Sequence, residues 1–252
     1  MKKYALFLLL TIAALTASNG QTVATPSTDN AAASATRTNT AIVPVQRPDQ
    51  GARARTTVVL QRAKDNQGAC DIVFIGDSIT HGWENAGRNV WNKYYGSRKC
   101  LNFGVGGDRT QHVLWRFENG QLDGVKPKAA VLMIGTNNSN REDNTEGEIL
   151  EGVQTIVKQM RDRMPDTKIL VLGIFPRGEK FTPQRGKILQ VNQALARVAD
   201  DKNVFYLDFG SELVQDDGSI SRDVMPDFLH LSERGYEIWA QAIEPKLAEL
   251  VK

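Results

Sequence analysis

Five short apolar runs punctuate the chain, at Asp71 to Gly76, Leu101 to Val105, Ala129 to Ile134, Lys168 to Ile174 and Val204 to Leu207, each rich in Val, Ile, Leu or Phe. Their hydrophobicity is continuous rather than alternating, which marks strands covered on both faces. Between them apolar residues recur at helical spacing, as in Ile149, Val153, Ile156, Val157 and Met160, or Val191, Leu195 and Val198. Ser232 is a good N-cap for a last helix that would bury Ile238, Trp239, Ile243, Leu247 and Leu250. Strands alternating with helices, and buried on both sides, predict an α/β fold: a five-stranded parallel sheet between two helical layers.

The first fifty residues follow neither period. Lys2 and Lys3 precede an apolar run, Ala5 to Leu15, that gives way to Ser18-Asn19-Gly20. The run is too short to span a bilayer and reads as a secretory signal over residues 1–20, so an exported protein, periplasmic or secreted, is expected. No cysteine near Gly20 offers a thiol for lipid attachment, and no stable membrane insertion is expected. Residues 21–50 are rich in Thr, Ala, Ser, Asn and Pro without periodicity, and predict a disordered spacer. The remainder, 51–252, has the length and apolar content of one well-cored catalytic domain. A net charge of +2, with Lys and Arg interspersed among Asp and Glu, leaves no basic stripe for nucleic acid.

In a sheet of this kind function collects in the loops at the carboxyl ends of the strands. Ser78, Gly107 and Asn137 each follow directly on one of the first three predicted strands, so three distant segments should meet at one rim. A serine needs a base, and His230, with Asp227 three residues before it, supplies one together with a carboxylate to orient the imidazole. Taken alone, Asp-x-x-His reads as a surface turn, and it becomes a catalytic pair only in company with the rest of the rim. Acyl transfer also needs donors for a developing oxyanion, for which Gly107 offers a backbone N–H and Asn137 an amide. Gly104, Gly106 and Gly107 do not make the Gly-x-Gly-x-x-Gly spacing of a dinucleotide cradle. Asp77 is expected to hold the turn by bonding local amides rather than to act in catalysis.

Gly76-Asp77-Ser78, then Asn102-Phe103-Gly104-Val105-Gly106-Gly107, then Gly135-Thr136-Asn137-Asn138, then Asp227-Phe228-Leu229-His230 resemble, in order and spacing, the four blocks of the SGNH hydrolases, also called the GDSL esterase/lipase family. The resemblance runs from about Asp71 to the end. Within the family, His112-Val113-Leu114-Trp115-Arg116 and Gly173-Ile174-Phe175-Pro176-Arg177-Gly178-Glu179-Lys180 are similar to the catalytic alpha subunits of intracellular platelet-activating-factor acetylhydrolase. The resemblance implies a flavodoxin-like three-layer α/β/α sandwich and a serine esterase working through a covalent acyl-enzyme, with no metal or cofactor. It implies Ser78 as nucleophile, His230 as base and Asp227 as orienting acid. The oxyanion hole would come from Ser78, Gly107 and Asn137, and the acyl pocket from Ile79, Thr136 and Leu229. Short acyl groups, acetyl above all, are the expected load. A lysophospholipase or thioesterase, a long-chain lipase and a non-catalytic carbohydrate-binding module are the alternatives.

The resembling subunits are cytoplasmic, whereas this chain carries an export signal and a spacer. A small-molecule or glycan ester met outside the cytoplasm is therefore the expected partner, and the pairing of the resembling subunits leaves a homodimer open. His81 and His112 lack an acidic residue at the family's spacing and read as structural. Three scattered histidines without nearby cysteine do not suggest zinc. Cys70 and Cys100 precede the first and second predicted strands at the edge opposite the rim, where a disulfide and two free thiols are equally open.

Overall fold

A computed structural model describes residues 37–141 and 143–252, so the expected signal segment and the first part of the expected spacer lie outside the described residues. Strands β1 (Gly68–Gly76), β2 (Cys100–Gly104), β3 (Val125–Met133), β4 (Lys168–Leu172) and β5 (Val204–Leu207) form one sheet, all parallel, in the order β2-β1-β3-β4-β5. This is the doubly wound order, whose topological switch point lies between β1 and β3. Among the described residues seven α-helices accompany the sheet: α1 (Gln50–Asp65), α2 (Ser78–His81), α3 (Arg88–Tyr95), α4 (Thr110–Glu118), α5 (Glu146–Arg163), α6 (Pro183–Leu195) and α7 (Glu233–Leu250). The α/β sandwich expected from the apolar pattern is thus the observed fold.

Each face of the sheet has its own core. Helices α1, α4, α5 and α6 cover one face with Val59, Val113, Phe117, Ile156 and Val191, all fully buried against Val73, Ile75 and Leu132. Helices α3 and α7 cover the other, where Trp83 is the hub of an aromatic cluster, its ring centroid 4.5 Å from Tyr236, 5.0 Å from Trp239 and 5.6 Å from Tyr95. Local chemistry starts the helices where the sequence suggests. The Ser232 hydroxyl accepts from the Gly235 amide at 3.2 Å, and Thr145 and Glu148 cap α5 reciprocally.

Two expectations change. The spacer was expected to reach residue 50, but its last dozen residues pack on the domain: Ala41 is fully buried, its carbonyl accepts from the Thr110 hydroxyl at 2.7 Å, and the Asn39 amide donates to Glu151 at 2.8 Å. A composition rich in Thr, Ala and Asn conceals these few specific pairings. The cysteines lie inside β1 and β2 rather than before them, and both are free thiols. Cys100 stands opposite Ile72, two residues beyond Cys70, and burial pushes Cys70 up to about 11 and Cys100 to about 12.

Because Trp83 touches so many partners in one closed cluster, Trp83→Ala should cost about 3–5 kcal/mol of unfolding free energy, the usual range for emptying a large aromatic site. Urea unfolding at pH 7 measures it; a midpoint within error of the parent would show that the cluster collapses around the gap.

Candidate active site

The register aligns the strand ends. Gly76 stands opposite Gly104 of β2 and Met133 of β3, so the segments that follow all three strands leave the sheet in one row. Asp77 turns the chain there by accepting the Ile79 amide at 2.9 Å, which places Ser78, half-buried, at the first position of α2. α2 lies hard against β2, because a Cβ on Gly104 would come 2.2 Å from the His81 nitrogen. Asn102 fastens the contact, its amide donating to the Thr80 carbonyl at 3.0 Å while its oxygen accepts the Gly104 N–H at 2.8 Å. From the opposite side the Tyr236 hydroxyl donates to the Ile79 carbonyl at 2.6 Å.

His230 Nε2 lies 2.9 Å from Ser78 Oγ, and its Nδ1 lies 2.7 Å from Asp227 Oδ2. The two oxygens of Asp227 divide their work. Oδ1 accepts the amides of Leu229 at 3.1 Å and His230 at 2.7 Å, which closes the turn, while Oδ2 holds the imidazole. This is the physical content of the three-residue spacing. The turn needs Phe228 at φ +61°, an uncommon conformation for a non-glycine residue. Partial burial pushes the Asp227 carboxyl up, but hydrogen bonds from the His230 ring and the two amides outweigh it, so its pKa lies below the usual value. With Nδ1–H given to Asp227, Nε2 is left to accept the serine proton.

Gly107 sits at φ +74° beyond β2, and Asn137 follows β3. The Asn137 amide spends one hydrogen on the Asp108 carbonyl at 2.9 Å, tying the two loops together, and retains a second to give. Arg109 reaches back to the Asn137 carbonyl at 3.2 Å, and Asn138 accepts the Thr110 amide at 3.0 Å. Beneath the loop lies an ion pair, Asp108 with Arg116 at 3.0 Å, both side chains 1% exposed. Burial pushes Asp108 up to about 6 against the pull of Arg116 and Arg47. His112 is neutral, driven down to about 3 by burial and by Arg47, and its Nδ1 accepts the Arg109 amide at the start of α4. Burial also lowers His81. Neither histidine bonds Ser78.

Of the proposed pocket residues, Ile79 is buried and Leu229 half-buried in the aromatic-side core, and Thr136 is buried beside Arg177, whose Nη1 donates to its carbonyl at 3.2 Å and its hydroxyl at 3.3 Å. Sequence reasoning gave two charged groups here, Arg116 and Arg177, no role. Arg177 stands inside a quoted block but without an assigned role. Arg116 likewise stands in a block that carries the resemblance, with no role assigned to it. Asp77 is completely buried with one oxygen unpartnered, and burial, reinforced by Asp108, pushes it up to about 7. Its bond to a local amide was expected from the sequence and is observed; its complete burial was not foreseen. Among the described residues no group of three or more His, Cys, Asp or Glu is placed to hold a metal ion.

The profile of the GDSL-like lipase/acylhydrolase family matches residues 74–238. Human platelet-activating factor acetylhydrolase IB subunit alpha2 is 41% identical over 184 residues, covering 72% of this chain and 78% of that protein. The human alpha1 subunit is 38% identical over 182 residues, covering 72% and 77%. Among solved structures, a GDSL-like lipase from Bacteroides thetaiotaomicron superposes with a TM-score of 0.60 at 17% identity, covering 78% of this chain and 95% of its own. An acetylxylan esterase from Geobacillus stearothermophilus superposes with a TM-score of 0.57 at 19% identity, covering 72% and 96%. At these identities the two structures share the fold.

Asp77 sets a pH dependence of stability. The folded carboxyl keeps its proton to about pH 7, whereas the unfolded one loses it near 3.8, so stability present below that lower value is lost as pH rises through the upper one. Asp77→Asn keeps the oxygen that caps α2 and cannot ionise, so it should gain on the parent steadily between pH 4 and 7. Urea titrations across that range test this, and parallel curves would refute it.

Proposed function

The chain belongs to the GDSL-like lipase/acylhydrolase family and is an ester-hydrolysing serine hydrolase, and from that premise we propose that it is an exported esterase removing short acyl groups, acetyl above all, from small-molecule or glycan esters. The observation that carries the reading is the unbroken relay from Ser78 Oγ through His230 to Asp227, at 2.9 and 2.7 Å. Ser78 attacks the ester carbonyl while His230 takes its proton, and Asp227 stabilises the imidazolium that forms. The carbonyl oxygen, now negative, is received by the amides of Ser78 and Gly107 and by the free hydrogen of Asn137. His230 returns its proton to the departing alcohol, and water, activated the same way, releases the acid. No step calls for a metal or cofactor.

Short acyl groups are supported by the proposed pocket residues, of which Ile79 is buried, Leu229 packs against the same core and Thr136 is held by Arg177. The alpha subunits similar to this chain are named acetylhydrolases. Export is supported by Lys2, Lys3 and the apolar run Ala5 to Leu15, and N-terminal sequencing of the mature protein from outside the cytoplasm checks it.

p-Nitrophenyl acetate should be cleaved faster than the butyrate, and the palmitate hardly at all. Ser78→Ala and His230→Ala should each lower kcat by roughly 10^4–10^6, and Asp227→Asn by about 10^4. Preference for palmitate would overturn the short-acyl assignment, and a parent rate no better than Ser78→Ala on every ester would overturn catalysis.

A further inference from the structure

Among the described residues strand β2 is an edge strand, paired only with β1, so its outward carbonyls need partners from elsewhere. Three arginines that precede it in sequence supply them. Arg62 Nη1 donates to the Asn102 carbonyl at 2.6 Å, Arg55 Nε to Gly104 at 3.0 Å and Arg47 Nη1 to Gly106 at 3.0 Å. The first two acceptors stand two residues apart, as carbonyls along one edge of a strand do, and the third follows at the same interval in the turn beyond β2. Arg55 and Arg62 lie two turns apart on one face of α1 and share Glu84 at 2.8 and 2.6 Å. Arg47 lies just ahead of α1 and is held by Asp49 at 2.7 Å.

The third contact differs from the other two in what it touches. The Gly106 carbonyl belongs to the same peptide unit as the Gly107 N–H, and the two point in opposite directions. Flanked by two glycines, that unit meets little steric resistance to rotation. A guanidinium fixed on its carbonyl decides where its N–H points, and a charged donor there also strengthens the N–H as a donor in turn. The guanidinium lies so close that a Cβ on Gly107 would come 2.6 Å from Arg47 Nη1, and the same nitrogen is 3.8 Å from Asp108.

We propose that Arg47 is a positioning residue for the oxyanion hole: it locks the Gly106–Gly107 peptide so that the Gly107 N–H faces the carbonyl oxygen of the substrate. The assignment rests on the esterase reading, and it makes the segment ahead of α1 part of the catalytic unit.

Arg47→Met in the full-length chain should lower kcat for p-nitrophenyl acetate about tenfold, less than the loss of an oxyanion donor outright, with KM within about twofold. Arg47→Lys, which can still reach the carbonyl, should recover much of the rate. Arg55→Met removes the neighbouring contact of the same comb and should leave kcat unchanged while lowering thermal stability by a similar amount. The Gly107 amide resonance should shift and exchange faster in Arg47→Met and stay in place in Arg55→Met. Equal kcat in Arg47→Met and the parent, or equal losses in both methionine variants, would overturn the proposal. If Arg47→Met does not fold, Arg47→Gln and Arg47→Lys carry the same comparison. A parent inert to every ester would sink the esterase reading instead, and the Gly107 resonance then decides the peptide lock by itself: unmoved in the Arg47 variant, the lock is wrong.

Discussion

The site rests on the register of three parallel strands. Because Gly76 stands level with Gly104 and Met133, the chain leaves β1, β2 and β3 at one height, and Ser78, the Gly107 turn and Asn137 emerge side by side at the switch point. A shift of one residue would turn every strand side chain to the other face and bury the wrong set in each core. The same continuous apolar run, whose successive side chains pack Val73 and Ile75 on one side and Ile72 and Phe74 on the other, therefore also fixes where the loops at the rim stand. Close approach completes the arrangement, since α2 reaches β2 only over the bare Cα of Gly104.

Charge is handled unevenly around this rim. Asp227 is open to solvent and well satisfied, which keeps it ionised and ready to orient the imidazole. Asp77 and Asp108 are buried, and both are pushed up by the loss of solvent. Asp108 has Arg116 as a partner in the same dry environment, an arrangement that gives a defined geometry to the loop above it more than net stability. Arg177, half-buried beside Thr136, feels both Asp77 and Asp227, so the pocket wall and the triad are electrostatically linked.

The exposed edge of the sheet is closed by side chains where a strand might have been. Guanidinium groups suit this because one group can donate to a carbonyl and to a carboxylate together: Arg55 uses Nε for the carbonyl and Nη1 and Nη2 for Glu84, and Arg62 uses Nη1 for both. Those two guanidinium groups overcome the upward push of burial on Glu84 and hold its pKa down to about 2. Edge protection and support of the Gly107 turn are therefore continuous along one comb.

What the amino-acid sequence determined by itself is what depends on neighbours in the chain. Strands and helices were legible because their apolar periods are local, and the Ser232 cap and the Asp227–His230 turn because each is built within four residues. Ser78, Gly107 and Asn137 were legible as candidates because each directly follows an apolar run. The tertiary structure alone decided the rest. That Ser78 and His230, 152 residues apart, lie within hydrogen-bond distance follows from strand order and the docking of α7, neither of which is written in any local period. Composition averaged Asn39, Ala41 and Arg47 into a spacer, although each makes a specific contact with residues far along the chain. The perturbed state of Asp77 was equally hidden, because burial is a property of the whole packed core and no single segment contains it.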